Sequence, residues 1–69
     1  MDQETAKKVR DCGLQAIEAL SLLLVIAKEN ATEAEFSAYR RTIGDLIARI
    51  QNQILDALYA THPQLDDLQ

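Results

Sequence analysis

The stretch SLLLVIAKENATEAEF, residues 21–36, contains the end of one predicted helix, a short polar break and the start of a second helix. Asn30 can end a helix in a left-handed conformation. Thr32 followed by Glu35 has the spacing of a capping box, in which each side chain accepts a hydrogen bond from the other residue's backbone amide. A break this short returns the second helix alongside the first. The sequence therefore predicts an all-α fold built as an antiparallel two-helix hairpin.

The remainder of the chain is organised around this break. Asp2 is placed to cap the first helix, and Pro63 ends the second because proline disfavours helical angles at the residue before it. The tail either frays or forms one short turn across the end of the bundle. We predict a single domain over residues 1–69, with a helix at about 3–29, a hinge at 30–32, a helix at about 33–61 and an acidic tail at 62–69.

A chain of 69 residues needs help to stay folded. A domain of this size buries only about 60% of the surface that its unfolded chain exposes, and small domains usually add disulfides, a metal or association. Cys12 is the only cysteine and His62 the only histidine. An internal disulfide is therefore impossible, and a zinc site, which needs about four ligands, is not expected. We predict no metal or cofactor, which leaves association with another chain.

The aliphatic run at residues 22–26 indicates what that association buries. At about 100° per residue, its side chains point in nearly every direction around the helix, which is typical of a buried helix. One antiparallel neighbour covers only one side. Full burial of each aliphatic side chain is worth about 1.5–3 kcal/mol, so leaving several exposed would forfeit much of a small domain's stability. The economical solution is a two-fold dimer of hairpins that forms a four-helix bundle. A tetramer or a complex with another helical protein would bury the same aliphatic side chains.

Apolar and small residues follow one another along each helix at steps of three and four residues. This spacing is typical of helices that lie nearly parallel with interlocked side chains, and it defines the predicted contact seam. Gly13 and Ala16 would allow a neighbouring helix to approach closely, although Gly13, like Gly44, could also be a tolerated weak point. The predicted dimer interface consists of Val9, Gly13, Ala16, Leu20, Leu22, Leu23, Val25, Ile26, Ile43, Ile47, Ile50 and Ile54.

Charge and hydropathy narrow the classes of partner. Eleven acidic and seven basic residues give a net charge of -4. This balance disfavours nucleic acid, whose phosphates are bound mainly by lysine and arginine. The uncharged run at residues 19–27 is short of the roughly 20 residues that span a bilayer, and no signal peptide is expected. A cytoplasmic protein without a membrane partner is predicted.

The sequence contains few candidates for catalytic side chains. His62 stands at a helix end with no partner marked by spacing, where an exposed structural role is expected. Cys12 is expected to be a small buried residue beside the seam. The Glu-x-x-His pattern of metal-binding helical bundles is absent. Tyr39 and Tyr59 are expected to pack with their hydroxyls at the edge of the apolar face. We therefore predict no catalytic residues and no enzyme.

In length and layout, the predicted dimer resembles the plasmid-encoded Rop family of hairpin dimers. The resemblance implies a four-helix bundle that binds structured RNA. Basic side chains for such a surface would be Lys7, Lys8, Arg10, Arg40 and Arg41.

The segment NQILDALY, residues 52–59, is similar to the S-Q-E-L-D motif of the Spo0E-like hairpin phosphatases. Gln53, Leu55 and Asp56 match this motif, whereas Asn52 replaces its serine and Ile54 its glutamate. The resemblance implies dephosphorylation of a response regulator.

The function class that the sequence favours is a non-enzymatic homodimeric interaction module, such as a small adaptor, regulator or accessory subunit. Its partners would be a second copy of itself and another protein. The surfaces left after the core is assigned are the acidic tail at residues 65–69 and the exposed second-helix residues Arg40, Arg41, Asp45 and Arg49.

Overall fold

The computed structural model describes residues 1–66, and these form two helical arms. The first arm is helix α1, Gln3–Asn30. The second arm consists of α2 (Glu33–Arg49), a π-helical segment (Ile50–Leu55) and α3 (Asp56–Thr61), and a 3-10 turn at Pro63–Leu65 follows it. No strand occurs among the described residues, which confirms the all-α prediction.

Contacts between the chain ends show how the arms lie. The Arg10 guanidinium donates a hydrogen bond to the Leu65 carbonyl oxygen at 3.0 Å. The His62 Nε2 atom lies 3.2 Å from the Met1 carbonyl oxygen. The start of α1 is therefore beside the end of the second arm, and the two arms run in opposite directions as a hairpin.

The helix starts follow the local signals in the sequence. The Asp2 carboxylate accepts a hydrogen bond from the Thr5 amide at 2.9 Å. At α2, the Glu35 amide donates to the Thr32 hydroxyl oxygen at 3.2 Å, and the Thr32 amide donates to the Glu35 carboxylate at 2.9 Å. Both predicted caps are thus confirmed, and the second is a complete capping box.

The predicted left-handed ending at Asn30 is wrong. Asn30 is the last residue of α1, and Ala31 leaves the helix in an extended conformation with φ -81° and ψ 153°. The Ala31 amide still donates to the Ala27 carbonyl at 2.8 Å. Because Ala31 is extended and leads directly into Thr32, which is also extended, the chain reverses without a residue at positive φ anywhere in the described part.

Removing the capping box should weaken α2. Hydrogen bonds to the Glu35 carboxylate, first from the Thr32 amide and then from the Thr32 hydroxyl, lower the pKa of Glu35 from its ordinary value of 4.5. Since the folded-state pKa is the lower one, this stabilisation is present above about pH 4.5 and is lost as the pH falls through the folded-state pKa. We expect Thr32→Ala to cost about 1 kcal/mol at neutral pH. Glu35→Gln should reduce the loss of stability on acidification.

Urea unfolding followed by circular dichroism at neutral and acidic pH measures both effects. Ser37→Ala is a suitable control because Ser37 is an exposed residue of α2 beyond its first turn. Equal acid sensitivity of the wild type and Glu35→Gln would show that the Glu35 hydrogen bond contributes nothing.

A π-helical segment, Ile50–Leu55, interrupts the predicted second helix. The Asp56 amide donates to the Gln51 carbonyl, five residues back. A π turn fits one extra residue compared with an α turn. As a result Leu55 is the inward residue, with 0% of its surface exposed, whereas Ile54 is turned out with 47% exposed. Leu55 therefore packs between the arms of one chain, and Ile54 keeps its surface free for a partner.

The main cluster of buried residues lies at the open end of the hairpin, away from the hinge. Ala6, Leu58 and Leu65 form one buried cluster, with Val9 and Tyr59 packed against it. Leu65 reaches this cluster because the 3-10 turn folds back over the helix ends, as one of the two predicted alternatives for the tail requires. The last three tail residues, Asp67, Leu68 and Gln69, lie outside the described part of the chain.

The two glycines have different surroundings. A Cβ atom added to Gly13 would lie 3.0 Å from the Leu55 Cδ2 atom, so Gly13 allows the arms to approach closely. A Cβ atom added to Gly44 would meet nothing within 4 Å. Gly44 is therefore a tolerated weak point in α2.

Alanine substitution should separate these two glycines. We expect Gly44→Ala to raise the free energy of unfolding by about 0.5–1 kcal/mol, because alanine favours the helix without a steric cost. Gly13→Ala should gain less, because Leu55 must move, and Gly13→Val should destabilise the chain. Urea titration of the three variants measures the difference, and an equal gain at both positions would contradict the close approach at Gly13.

Candidate interaction surface

The aliphatic run of α1 is largely uncovered within one chain. Leu22, Val25 and Ile26 expose 57%, 57% and 58% of their surfaces. Leu24 alone of residues 22–26 is half-buried. Among residues 1–66, the exposed large apolar residues are Met1, Leu14, Leu22, Leu23, Val25, Ile26, Tyr39, Leu46 and Ile54.

Several of these side chains line a shallow groove between the arms near the hinge. The groove, called the hinge groove below, has a volume of about 450 Å³. Its walls are mostly apolar, and the only polar side-chain atom that they include is the Tyr39 hydroxyl. The lining residues are Ala19, Leu22, Leu23, Ile26, Ala27 and Tyr39.

A second apolar groove lies near the open end of the hairpin. Met1, Val9 and Ile54 line it together with residues of α3. Val9 precedes Leu23 by two heptads, which places both on nearly the same side of α1. Leu46 follows Tyr39 by two turns and shares its side of α2. Apolar side chains therefore extend along one side of the hairpin, called the open face below, from the hinge groove to the open end.

The predicted interface residues divide by their burial in the single chain. Exposed members are Leu22, Leu23, Val25, Ile26 and Ile54; half-buried members are Val9, Gly13, Ala16, Leu20, Ile47 and Ile50; the buried member is Ile43. Much of the predicted seam thus already packs the two arms of one chain together, as Gly13 does against Leu55. The exposed members are those with surface left for a partner.

The predicted partner-binding residues of the second helix are all exposed. Arg41, Asp45 and Arg49 follow one another at four-residue spacing on the solvent side of α2, and no ion pair joins them among residues 1–66. Arg40 lies apart from them and lines an open pocket at the hinge together with Lys28. The structure therefore places three of the four on one strip and the fourth elsewhere.

Within one chain, the positions of two reactive side chains differ from those expected. Cys12 is exposed rather than buried, because it lies one residue outside the inward face that Gly13 occupies. His62 is half-buried rather than exposed, since its ring nitrogens lie 2.9 Å from the Thr61 hydroxyl and 3.2 Å from the Met1 carbonyl oxygen. These contacts give His62 a structural position where the two chain ends meet.

The two tyrosines differ in burial. Tyr59 is half-buried against the core cluster, whereas Tyr39 is about half exposed at 51%. Within the described residues no group of three or more histidine, cysteine, aspartate or glutamate side chains is arranged to hold a metal ion.

The structure also shows where the residues on which the two family resemblances rest are located. Arg10 is committed to the fold, since its guanidinium bonds the Leu65 carbonyl and pairs with Asp11 at 3.1 Å. In the phosphatase-like segment, Leu55 is buried beneath Gly13, while Gln53 and Asp56 are exposed. Neither set forms an enclosed site.

No helix within residues 1–66 has the length and hydropathy needed to cross a bilayer. Comparison with protein-family models, curated protein sequences and solved structures finds no match to the chain, so neither resemblance gains support from it.

Proposed function

We propose that this protein is a non-enzymatic interaction module that acts as a homodimer, in which two hairpins pack into a four-helix bundle. In the cell it would serve as a small adaptor, regulator or accessory subunit. The observation that carries the proposal is the exposed aliphatic surface around the hinge groove, formed by Leu22, Leu23 and Ile26.

One chain has only a small buried core. The buried apolar residues in the described part are Ala6, Ile43, Leu55, Leu58 and Leu65. Burial of a further aliphatic side chain contributes about 1.5–3 kcal/mol, against a total stability of about 5–15 kcal/mol for a typical domain. Covering the hinge groove with a second copy would therefore add a large fraction of the stability. A two-fold axis achieves this with one self-complementary surface.

The chemistry of the groove supports packing rather than catalysis. Ligand sites combine apolar walls with a few convergent polar groups that orient the substrate. The hinge groove has leucine, isoleucine and alanine walls with one tyrosine. Such walls suit another helix better than a small polar molecule.

We place the module in the cytoplasm, where reducing conditions keep a lone exposed thiol such as Cys12 free.

A further protein partner would meet the exposed strip of Arg41, Asp45 and Arg49, which lies outside the open face. Charge reversal at Arg41 and Arg49 should abolish binding of that partner and leave the dimer intact. Retention of the same partner by the doubly reversed protein would reject this strip.

Thermal unfolding at different protein concentrations tests the homodimer. If folding and pairing are coupled, the Tm should rise steadily between about 1 and about 100 μM chain, because mass action favours the associated state. The measurement is circular dichroism with the wild-type chain. A Tm that is constant over this range, with native helix content below it, would contradict the proposed function.

A further inference from the structure

One exposed stripe of α1 has the spacing of a contact seam. Its residues follow one another at alternating steps of four and three, the repeat of helices that pack side by side. Every one of them is exposed in the single chain, and Ala19, Leu22 and Ile26 also line the hinge groove. The outer stripe consists of Lys8, Cys12, Gln15, Ala19, Leu22, Ile26 and Glu29.

We infer that α1 of one hairpin packs antiparallel against α1 of a second copy, with the two-fold axis beside Ala19 and Lys8 facing the partner's Glu29. This inference rests on the proposed homodimer and adds its orientation. Positions 8 and 29 lie almost equally far from position 19, eleven residues before and ten after it. Reversing the stripe about Ala19 therefore exchanges its basic and acidic ends.

The charges of the stripe favour this orientation over the parallel one. Lys8 and Glu29 are both exposed, and within the described residues neither takes part in an ion pair or a side-chain hydrogen bond. A parallel pairing would set Lys8 against the partner's Lys8 and Glu29 against the partner's Glu29. Charge complementarity at the rim of an interface selects its register and suppresses the wrong arrangement.

The side-chain sizes agree with the same register. At the centre, Ala19 meets the partner's Ala19, where two small side chains let the helices approach. Towards the ends, the large Ile26 side chain meets the smaller Cys12 of the partner subunit. The alternation of large and small side chains across facing positions fills the space between helices.

Charge reversal tests the orientation. Sedimentation equilibrium at low salt should show that Lys8→Glu and Glu29→Lys each weaken the dimer roughly tenfold, since each change affects two symmetry-related contacts. The double variant should recover nearly wild-type affinity. Lys7→Glu is the matched control, because Lys7 is exposed but lies off the stripe, and its dimer should be unchanged beyond the common effect of net charge.

A disulfide trap gives a second readout. In a Cys12→Ser background, Ala19→Cys should oxidise rapidly to a covalent dimer, because the two copies of residue 19 meet at the axis. Ala48→Cys is the control, since Ala48 is exposed on α2 and should cross-link slowly.

The outcomes separate the orientation from the dimer itself. A wild-type dimer whose affinity is not restored in the Lys8→Glu, Glu29→Lys double variant, or whose residue 19 cross-links no faster than residue 48, would overturn the antiparallel pairing and leave the homodimer standing. A monomeric wild type would overturn both. Restoration together with rapid cross-linking at residue 19 supports the inference.

Discussion

Replacing Leu22 and Ile26 together with aspartate should dissociate the dimer and unfold most of the chain. Both side chains are more than half exposed in one hairpin and line the hinge groove. In the dimer each would be buried twice, once in each copy. At about 1.5–3 kcal/mol for each buried side chain, the double change should weaken association by at least about a thousandfold. The separated hairpin should then lose much of its helix, because helices hold poorly without tertiary packing.

Leu14→Asp is the matched control for this experiment. Leu14 is also an aliphatic residue of α1 with 46% of its surface exposed, but it lies outside the hinge groove and off the outer stripe. If the chain works as a monomer, aspartate at either site should be tolerated equally. We expect the Leu14 variant to keep its helix and its mass, and the Leu22, Ile26 variant to lose both. Sedimentation and circular dichroism on the same samples measure this difference.

Truncation of Leu55 should have the second large effect. Leu55 is fully buried and packs over Gly13. Leu55→Ala should therefore lower the free energy of unfolding by about 2–5 kcal/mol, the range for removal of a buried leucine side chain. Ile54→Ala should cost clearly less, since Ile54 is already 47% exposed. Urea unfolding of the two variants compares neighbouring residues of nearly equal size.

The π turn makes this comparison informative. A regular α-helix over the same residues would place Ile54 inside and Leu55 outside, so a larger loss for Ile54→Ala would contradict the observed register.

Deleting the exposed Asn52 gives a further test. The deletion should convert the π turn to a regular turn with Leu55 still inside, and its cost should be small. The same deletion at Ala38 of α2 should unfold the chain, because it rotates every following side chain.

The local signals in the sequence predicted the ends of the helices well. Asp2, Thr32 with Glu35, and Pro63 each act through a short-range hydrogen bond or a steric restriction, which depends only on neighbouring residues. Asn30 is the exception. Its left-handed ending was predicted from residue type, but the hinge needs only two extended residues, Ala31 and Thr32.

The π turn could not be predicted from periodicity. Position 55 follows Ile43 by three steps of four residues, and each such step drifts about 40° around an α-helix, so periodicity groups Ile43 with Ile47, Ile50 and Ile54 instead. In the structure the extra residue of the wide turn absorbs this drift, because close packing of Leu55 against Gly13 stabilises it. A contact between the two arms thus decides which residue faces inward, and the periodicity of one helix alone does not predict that contact.

The candidate surface was predicted in part. The surplus of apolar side chains at residues 22–26 follows from the local sequence, since a helix that is apolar all round has more apolar surface than one neighbouring helix covers. The pattern could not tell which seam residues pack within the chain. Gly13 and Ile43 serve the hairpin itself, whereas Leu22 and Ile26 remain exposed. Cys12, one residue from that seam, is exposed within one chain for the same reason.

Sedimentation equilibrium of the wild-type chain at micromolar concentration tests whether two hairpins pair. The chain has a mass of 7.7 kDa. Pairing of the exposed apolar faces requires a species of twice that mass with full helix content. A fully helical species with the mass of one chain would show that the hairpin is stable with Leu22, Leu23 and Ile26 in water, and would contradict the account.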